Sequence, residues 1–473
     1  MTKRILIKET PVKAGEEVKV NGWVNARRDH GKLIFIDLID HTGILQVVFT
    51  PSNEQVLETA NNLRLNDVLE ITGKLGQRPE NMINEELETG RVELKAEELT
   101  ILNKAETTPF ELNTDGYEVN EEIRLKYRYL DLRRARLQNN FKKRHQVNQF
   151  LRNFLTKEGF IEIETPMLTK STPEGARDFV VPSRLHYGRF YALPQSPQQY
   201  KQLLMVSGFE KYFQIARCFR DEDSRANRAF GEFTQLDIEM SFVEQEDILQ
   251  ITEVMFTKMI KELFPEKKLT QTPWPRINYE DAMKEYGKDD PDIRKNKDDK
   301  NELGFAWIVN FPLFAEQKED DFFHGSGKSK WAPSHHMFTA PHPDDVGLLG
   351  KDPGKARGLQ HDLVLNGMEV GGGSIRIHDP KIQEKVFELI GFSEEQKKQF
   401  EHMLEAFRYG VPPHGGIAPG LDRLLAQILG ESSLREVMAF PKTGDGRDLM
   451  MDSPSEIEEE QLKELGMTIK KKG

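Results

Sequence analysis

Several stretches of this 473-residue chain place arginines, carboxylates and glycines where phosphate or carboxylate chemistry could use them. In the run 217–239, RCFRDEDSRANRAFGEFTQLDIE, Arg220 is followed by Asp221 and Glu222. A guanidinium fork binds phosphate oxygens bidentately, and a nearby carboxylate can accept from an exocyclic amine. Asp362 and Glu369 precede Gly371-Gly-Gly373 and offer hard oxygen ligands of the kind that hold magnesium with nucleotide phosphates. The glycines allow a ligand close to the backbone, and Arg376 beyond them supplies a second fork, suited to a carboxylate. Gly415-Gly-Ile-Ala-Pro-Gly-Leu-Asp-Arg423 ends in a further arginine at the start of an apolar helical run, 424–429. Gln198 and Lys201 are three apart and share one helical face. Alone, each has an ordinary alternative: a surface ion-pair loop for Arg220, solvated side chains for Gln198 and Lys201.

Other motifs point away from chemistry they superficially suggest. Gly327-Lys-Ser329 looks like the end of a P-loop, but Phe322 stands where its first glycine belongs and Trp331-Ala-Pro333 follows instead of a helix. His335 and His336 are adjacent, which is not a helical i, i+4 chelate, and no partner histidine stands at ligand spacing. The single cysteine, Cys218, excludes an intramolecular disulfide and a cysteine metal cluster and suits a reducing cytosol. Flanked by Arg217 and Phe219 on a strand pattern, it reads as a buried structural thiol.

The elements that must position these residues follow from periodicity. Residues 1–104 read as β: 18–24, 33–38, 44–49, 68–72 and 92–95 are short β-rich runs, with one helical stretch at 54–63. Five strands and a helix suggest a small closed barrel of OB type, a common single-stranded nucleic-acid binder. In it Phe35 could stack on a base, and Arg28 and Gln46 could read base edges; equally, Phe35 could be a core ring and the other two solvated. A linker is expected over 105–135. The segment Arg124–Arg144 carries nine Lys/Arg against one acid, Asp131, and reads either as a solvated helix face or as a contact for RNA backbone. Beyond it, 137–158 reads as a helix, 159–166 as a strand ending at Pro166, 169–178 as a turn-rich loop, and 213–219 with 233–239 as a β-hairpin. Residues 362–377 alternate as one strand broken by the glycines.

Composition sets the frame. The length suggests two or more domains, and no apolar run approaches a membrane span. The opening MTKRILIKET lacks the features of a signal peptide, so a cytoplasmic location is expected. A net charge of -12 argues against bulk electrostatic binding of nucleic acid, so any RNA contact must be local.

Together these strings resemble the bacterial aspartyl-tRNA synthetases, of class II. Phe219-Arg-x-Glu222 with Glu232-Phe-Thr-Gln-Leu-Asp237 resembles the class II second motif, the helix–strand–Pro166 order its first, and 415–423 its third. GWVNARRDHGKLIFIDLIDHTGILQVVF resembles the family's anticodon barrel, Tyr129-Leu-Asp-Leu-Arg-Arg134 its hinge, and Phe440-Pro-Lys-Thr443 a further family string. The resemblance implies an α+β chain: an OB-fold barrel (1–104), a hinge (105–135) and a class II catalytic domain (136–473) with a mostly antiparallel sheet flanked by helices. It implies a homodimer that joins aspartate to tRNA through aspartyl-adenylate, using ATP and Mg2+. Arg220 and Arg423 would be the catalytic arginines. Glu174, Gln198, Lys201, Arg220, Asp237, His335, His336 and Arg376 would meet aspartate, Asp237 taking its ammonium. Arg220, Asp221, Glu222, Glu369 and the turn Gly420-Leu421-Asp422-Arg423 would meet ATP, with Asp362 and Glu369 on the metal.

In the barrel, Arg28, Phe35, Gln46 and Glu93 would face the anticodon, with His30 and Asn81 in the loops that separate the aspartate tRNA from the asparagine tRNA. His30 resembles the relaxed group that charges both, whereas Asn81 fits neither pattern. Three departures stand out. The family's insertion of roughly a hundred residues is replaced near 288–304 by about a dozen polar ones, too few to bury a core. The second-motif loop, Arg228-Ala-Phe-Gly-Glu232, is one residue longer than usual and lacks its glutamine, and Met337 replaces a proline. Asparaginyl and lysyl synthetases share this architecture, and a non-synthetase adenylating paralogue is a further alternative.

Overall fold

Along Leu33–Asp40 every second residue is buried, Ile34, Ile36 and Leu38 among them, as a strand with one face on a core requires. The same alternation closes a five-stranded barrel in the order Glu17–His30, Leu33–Asp40, Gly43–Phe49, Val92–Asn103, Val68–Gln77. All its pairings are antiparallel except that of Gly43–Phe49 with Val92–Asn103. Its interior is filled by residues such as Val20, Ile36, Val47, Ile71 and Leu94. The helix Glu54–Asn61 is capped by the Asn53 side chain, which accepts from the Val56 N–H. This computed structural model describes residues 3–171, 176–222, 231–317 and 329–470. The chain divides into two compact units, Met1–Gly116 and Tyr117–Gly473, so residues 117–135 of the expected linker belong to the second.

The second unit is built on an eight-stranded sheet in the order Arg276–Asn278, Phe305–Val309, Gln360–Leu365, Met368–Ile375, His414–Pro419, Gly231–Ser241, Lys211–Arg220, Ile161–Glu162. Only the two outermost pairings are parallel. Along Gly231–Ser241, Leu236, Ile238 and Met240 face a core shared with the helices Ala135–Lys157, Gln245–Leu263 and Leu421–Leu429. Phe233, Gln235 and Asp237 point to the opposite face, where a cavity opens. Among the described residues, no helix is long and apolar enough to cross a membrane.

Two expectations are corrected here. The 362–377 stretch is a hairpin, not one interrupted strand: it turns at Asn366-Gly367, both with positive φ (52° and 82°). Asn-Gly is the pair that such a tight turn favours, and the glycine run lies inside the second strand. Five of the nine basic residues of 124–144 are not free to face RNA. Arg124, Arg128 and Arg134 are buried around Asp131, at 2.6–3.0 Å. Arg124 and Arg136 also bind Glu436, Arg136 binds Glu431, and Arg144 binds Asp422. These cations are neutralised by carboxylates remote in sequence, so they cannot act as free counter-charges for phosphate.

The cluster makes a stability prediction. Burial alone would raise the Asp131 carboxyl, but hydrogen bonds from Arg124 and Arg134 and the charges of Arg124 and Arg128 hold it below its ordinary value. Its contribution is therefore present above the unfolded carboxyl pKa and is lost as pH falls through the depressed folded value. Asp131→Asn leaves three buried guanidiniums short of a counter-charge and is expected to destabilise by about 3–5 kcal/mol. Denaturant unfolding at neutral pH checks this, and the difference between variant and wild type should shrink in acid.

Candidate functional site

The cavity on the open face of the sheet has a volume of ≈ 390 Å³. It brings together Gln198, Lys201, Arg220, Glu222, Asp237, His335, His336, Glu369, Arg376, Gly420, Asp422 and Arg423 from separate elements. Glu174, the Arg228–Phe230 part of the second-motif loop and the Phe322–Lys328 part of the P-loop look-alike lie outside the described residues. Asp221 does not line the cavity; its backbone bridges to Arg177 instead. Leu421 is buried in the core, so only its backbone can face a ligand.

At the base of the cavity sits a charge network that residue types alone do not reveal. Lys201 donates to Asp237 Oδ1 at 2.8 Å and lies 3.6 Å from Glu239. Arg376 donates from Nε and Nη2 to the two Glu239 oxygens, at 3.0 and 3.3 Å, and from Nη1 to Ser374 Oγ at 2.6 Å. All five side chains are almost completely buried. Burial alone would raise Glu239, yet the charges of Arg376 and Lys201 hold its carboxyl below the ordinary value. Arg376 is therefore not the unengaged fork expected from sequence: three of its five N–H groups are taken, leaving two for a ligand. Asp237 likewise is first the partner of Lys201. Glu239 was missed, although the spacing of Asp237 and Glu239 puts both on one face of their strand.

Around this base, buried polar atoms lack partners among the described residues: Gln198 Nε2, Arg220 Nε, Asp237 Oδ2 and His336 Nε2. His336 Nδ1 accepts from the Phe338 N–H at 3.3 Å, so a neutral ring carries its proton on the unpartnered Nε2. The His335 ring is open to the cavity but enclosed on its other sides. That enclosure, with the charges of Arg376, Lys201 and Arg220, pushes its pKa down to about 3. Both imidazoles are thus neutral at physiological pH. Arg220 lies over the Phe233 ring at 5.0 Å, a planar support absent from the expectations.

Arg423 donates to the Glu369 carbonyl at 2.9 Å from the first turn of Leu421–Leu429, whose N-cap Gly420 borders the cavity. A helix N-terminus favours an anion. The Asp422 carboxylate is directed elsewhere: it accepts from Arg144 and from the Thr234 N–H, bracing this helix against the sheet. A nucleotide contact through that side chain is therefore not supported.

Asp362 and Glu369 come from the two strands of the Asn366-Gly367 hairpin and converge over Gly372. A Cβ on Gly372 would meet Asp362 Oδ1 at 3.2 Å and Glu369 Oε1 at 3.6 Å, so the missing side chain makes room for both carboxylates. Among the described residues, no group of three or more His, Cys, Asp or Glu could hold a metal. Two carboxylates instead fit magnesium completed by nucleotide phosphates and water.

On the barrel, strand pairing aligns Arg28 with Phe35, Asp37 with Gln46, and Gln46 with Glu93. Arg28 donates bidentately to Asp37 at 2.6 and 2.7 Å, and Gln46 donates to Glu93 at 2.8 Å. His30 meets Phe35 edge-on, with ring centroids 5.8 Å apart. Asn81 lies in the short helical turn Glu80–Met82. Arg78, missed from sequence, belongs to this group: burial lowers its pKa while the charges of Glu93 and Asp37 raise it. Its Nε has no partner among the described residues.

Comparison with known proteins places this geometry. Residues 120–444 match the family "tRNA synthetases class II (D, K and N)", and residues 18–102 match "OB-fold nucleic acid binding domain". The chain belongs to the class II tRNA synthetases. It is an enzyme that forms aminoacyl-tRNA. It is 41% identical to the aspartate–tRNA(Asp/Asn) ligase of Natranaerobius thermophilus, over 95% of this chain and 96% of that one. It is also 41% identical to the aspartate–tRNA ligase of Bacillus licheniformis, over 97% of each. The first alignment runs over 576 positions and takes in 95% of the 473 residues here, so well over a hundred residues of that relative face no residue of this synthetase. Asparaginyl-tRNA synthetase from Pyrococcus horikoshii has the same fold, with a TM-score of 0.75 at 23% identity over 94% of this chain and 99% of that one.

The paired carboxylates carry a prediction. Burial and the Glu369 charge push the Asp362 carboxyl well above its ordinary value. A raised carboxyl makes the metal-free fold lose stability as pH climbs from the unfolded value, about 4, toward the folded one. Asp362→Asn is therefore expected to keep or raise the Tm without metal at pH 7, and to lose the Tm gain that ATP with magnesium gives wild type. Thermal scans with and without both ligands check it; a lower Tm without ligands would assign Asp362 to holding the fold.

Proposed function

We propose that this synthetase is an aspartate–tRNA ligase. The observation that carries the reading is the cavity base, where Arg376 and Lys201, each backed by a buried carboxylate, line the same cavity. An aspartate side chain can accept there with both oxygens. Asparagine is nearly isosteric, but its amide would turn N–H groups toward N–H groups, which a site built to donate rejects strongly. Asp237 Oδ2 and Gln198 Nε2, without a partner among the described residues, are available for the substrate ammonium and carboxylate.

The chemistry is two in-line displacements by positioning and charge neutralisation, with no covalent enzyme intermediate. An α-carboxylate oxygen of aspartate bonds to the α-phosphorus of ATP, and the bond to the β-phosphate breaks to release pyrophosphate. A ribose hydroxyl of the terminal tRNA nucleotide then attacks the aspartyl carbonyl, and AMP leaves. Arg220, over the Phe233 ring, bridges the substrate carboxylate and the α-phosphate; Glu222 accepts from the adenine amine, and Arg423 with the adjacent helix N-terminus holds the terminal phosphate. His336 Nε2 donates to a substrate oxygen. Asp362 and Glu369 would hold magnesium, which supplies charge neutralisation to the phosphates when bound. The enzyme works in the cytoplasm, and as a homodimer, the latter supported by Ile161, Met167 and Leu168, which stand exposed on the segment around Pro166.

The decisive experiment is ATP–pyrophosphate exchange with aspartate, asparagine and lysine, of which aspartate alone should support turnover. Arg376→Lys keeps a charge beside Glu239 but cannot span Glu239, Ser374 and a ligand together. It is expected to lower aspartate-dependent exchange by about a hundredfold or more with little change in Tm. Unchanged exchange would remove Arg376 from the substrate pocket.

The tRNA choice extends to the asparagine tRNA. Aspartate and asparagine anticodons differ at their third position, and exposed His30, edge-on to the Phe35 ring, stands beside the surface on which a base would stack. The wild type should charge both transcripts within about tenfold of each other, and His30→Leu should widen that gap. A wild-type preference of about a hundredfold, equivalent to roughly 2.7 kcal/mol, would assign the enzyme to the aspartate tRNA alone.

A further inference from the structure

The polar segment 288–304, too short for a core of its own, is tied to the tip of the hairpin that carries Asp362 and Glu369. Gly304 grips Asn366 twice. The Asn366 N–H donates to the Gly304 carbonyl at 3.1 Å, and Asn366 Oδ1 accepts from the Gly304 N–H at 2.8 Å. Lys288 Nζ donates to the Gly367 carbonyl at 3.2 Å. A Cβ on Gly367 would lie 3.1 Å from Asp292 Cβ, so the segment also packs against the turn. It is braced within itself as well. Arg294 donates to both Asp292 oxygens, at 2.8 and 3.0 Å, and Glu302 accepts from the N–H groups of Lys295 and Asn296.

The register of the hairpin decides where Glu369 points. Leu363 pairs with Gly371, but the next residue, Val364, pairs with Glu369, so Val370 is an extra residue in the second strand. Val370 packs into the core with Leu363 and Leu365, while Glu369 joins Asp362 over Gly372. Without that bulge Glu369 would stand opposite Leu365, on the core side, because a one-residue slip moves each side chain to the other face. The two ends of the hairpin are held by different neighbours. Pairing of residues 371–375 with 415–419 fixes one end, and Gly304 with Lys288 fixes the turn. We propose that the segment 288–304 is a clasp that sets this register, with Asn366 and Lys288 as positioning residues that bring Glu369 beside Asp362 for the magnesium of ATP. The inference rests on the reading that this pair holds the metal, and it adds what places the pair.

The test uses the full-length enzyme. Calorimetric titration compares ATP with magnesium and ATP in EDTA, beside aspartate-dependent ATP–pyrophosphate exchange over a range of magnesium concentrations. Asn366→Gly keeps the positive φ of 52° but removes the acceptor for Gly304, and Lys288→Ala removes the second tie. Together they should raise the magnesium concentration for half-maximal exchange by about tenfold or more, and reduce the preference for ATP with magnesium by a similar factor. Binding of ATP in EDTA and the KM for aspartate should stay at wild-type values. Asn366→Asp with Lys288→Arg keeps an acceptor and a donor and should restore the magnesium dependence. An unchanged magnesium dependence in the first pair, or no restoration in the second, would overturn the proposal. So would a parallel loss of aspartate and metal-free ATP binding, which would make the clasp a support of the fold alone. A wild type indifferent to magnesium in the titration would overturn the metal reading and the clasp's role with it. Absence of aspartate-dependent exchange in the wild type would reject the ligase reading, and the titration would still decide the clasp.

Discussion

Glu239 is the constraint on which the catalytic unit depends. A fully buried carboxylate costs several kcal/mol to desolvate, and here Arg376 and Lys201 offset that cost. The opposing strand must also leave room: Glu239 pairs with Gly416, where an added Cβ would lie 2.3 Å from Glu239 Oε2. A glycine in one strand, a carboxylate in the next and an arginine from a third position thus form one unit. It fixes both cations at the base of the cavity that they line. The pairing that stabilises the fold therefore also prepares the binding surface.

Rigidity below is matched by incompleteness above. Gln198, Arg220, Asp237 and His336 each retain a buried polar atom without a partner among the described residues. Such atoms ordinarily cost about 1–3 kcal/mol each. Their concentration around one cavity marks groups arranged for a ligand rather than for the fold. The Asp362–Glu369 pair follows the same logic: like charges brought together over Gly372 are unfavourable alone and favourable around a cation. Binding of substrates removes costs that folding leaves standing, so less reorganisation is needed when charge develops.

Much of this was legible in the sequence, in a definite order. The barrel strands followed from alternation, because one face of each must be buried and the other need not be. The residue types at the cavity were legible because phosphates and carboxylates demand forks, carboxylates and open backbone. Partnerships were less so. Arg124 and Glu436 are 312 residues apart, and nothing local marks Arg124, Arg128 and Arg134 as buried. Arg376 read as available because its partner, Glu239, lies 137 residues away. The Asn366-Gly367 turn was locally readable, but alternation on both sides of it disguised the reversal as one strand.

The barrel face shows how an acidic chain can still recognise RNA. Arg28 and Gln46 are not vacant probes; each already donates to a carboxylate, Asp37 or Glu93. A base edge must therefore compete with an existing hydrogen bond, and only a base offering the right donors and acceptors recovers what it displaces. The carboxylates repel misplaced phosphates, while Phe35 supplies stacking that does not depend on base identity. Arg78, whose Nε has no partner among the described residues, lies beside the same carboxylates and adds a fork that an incoming base can engage. Affinity on such a surface comes from stacking and exchange of paired groups more than from net charge, which favours selectivity over bulk attraction.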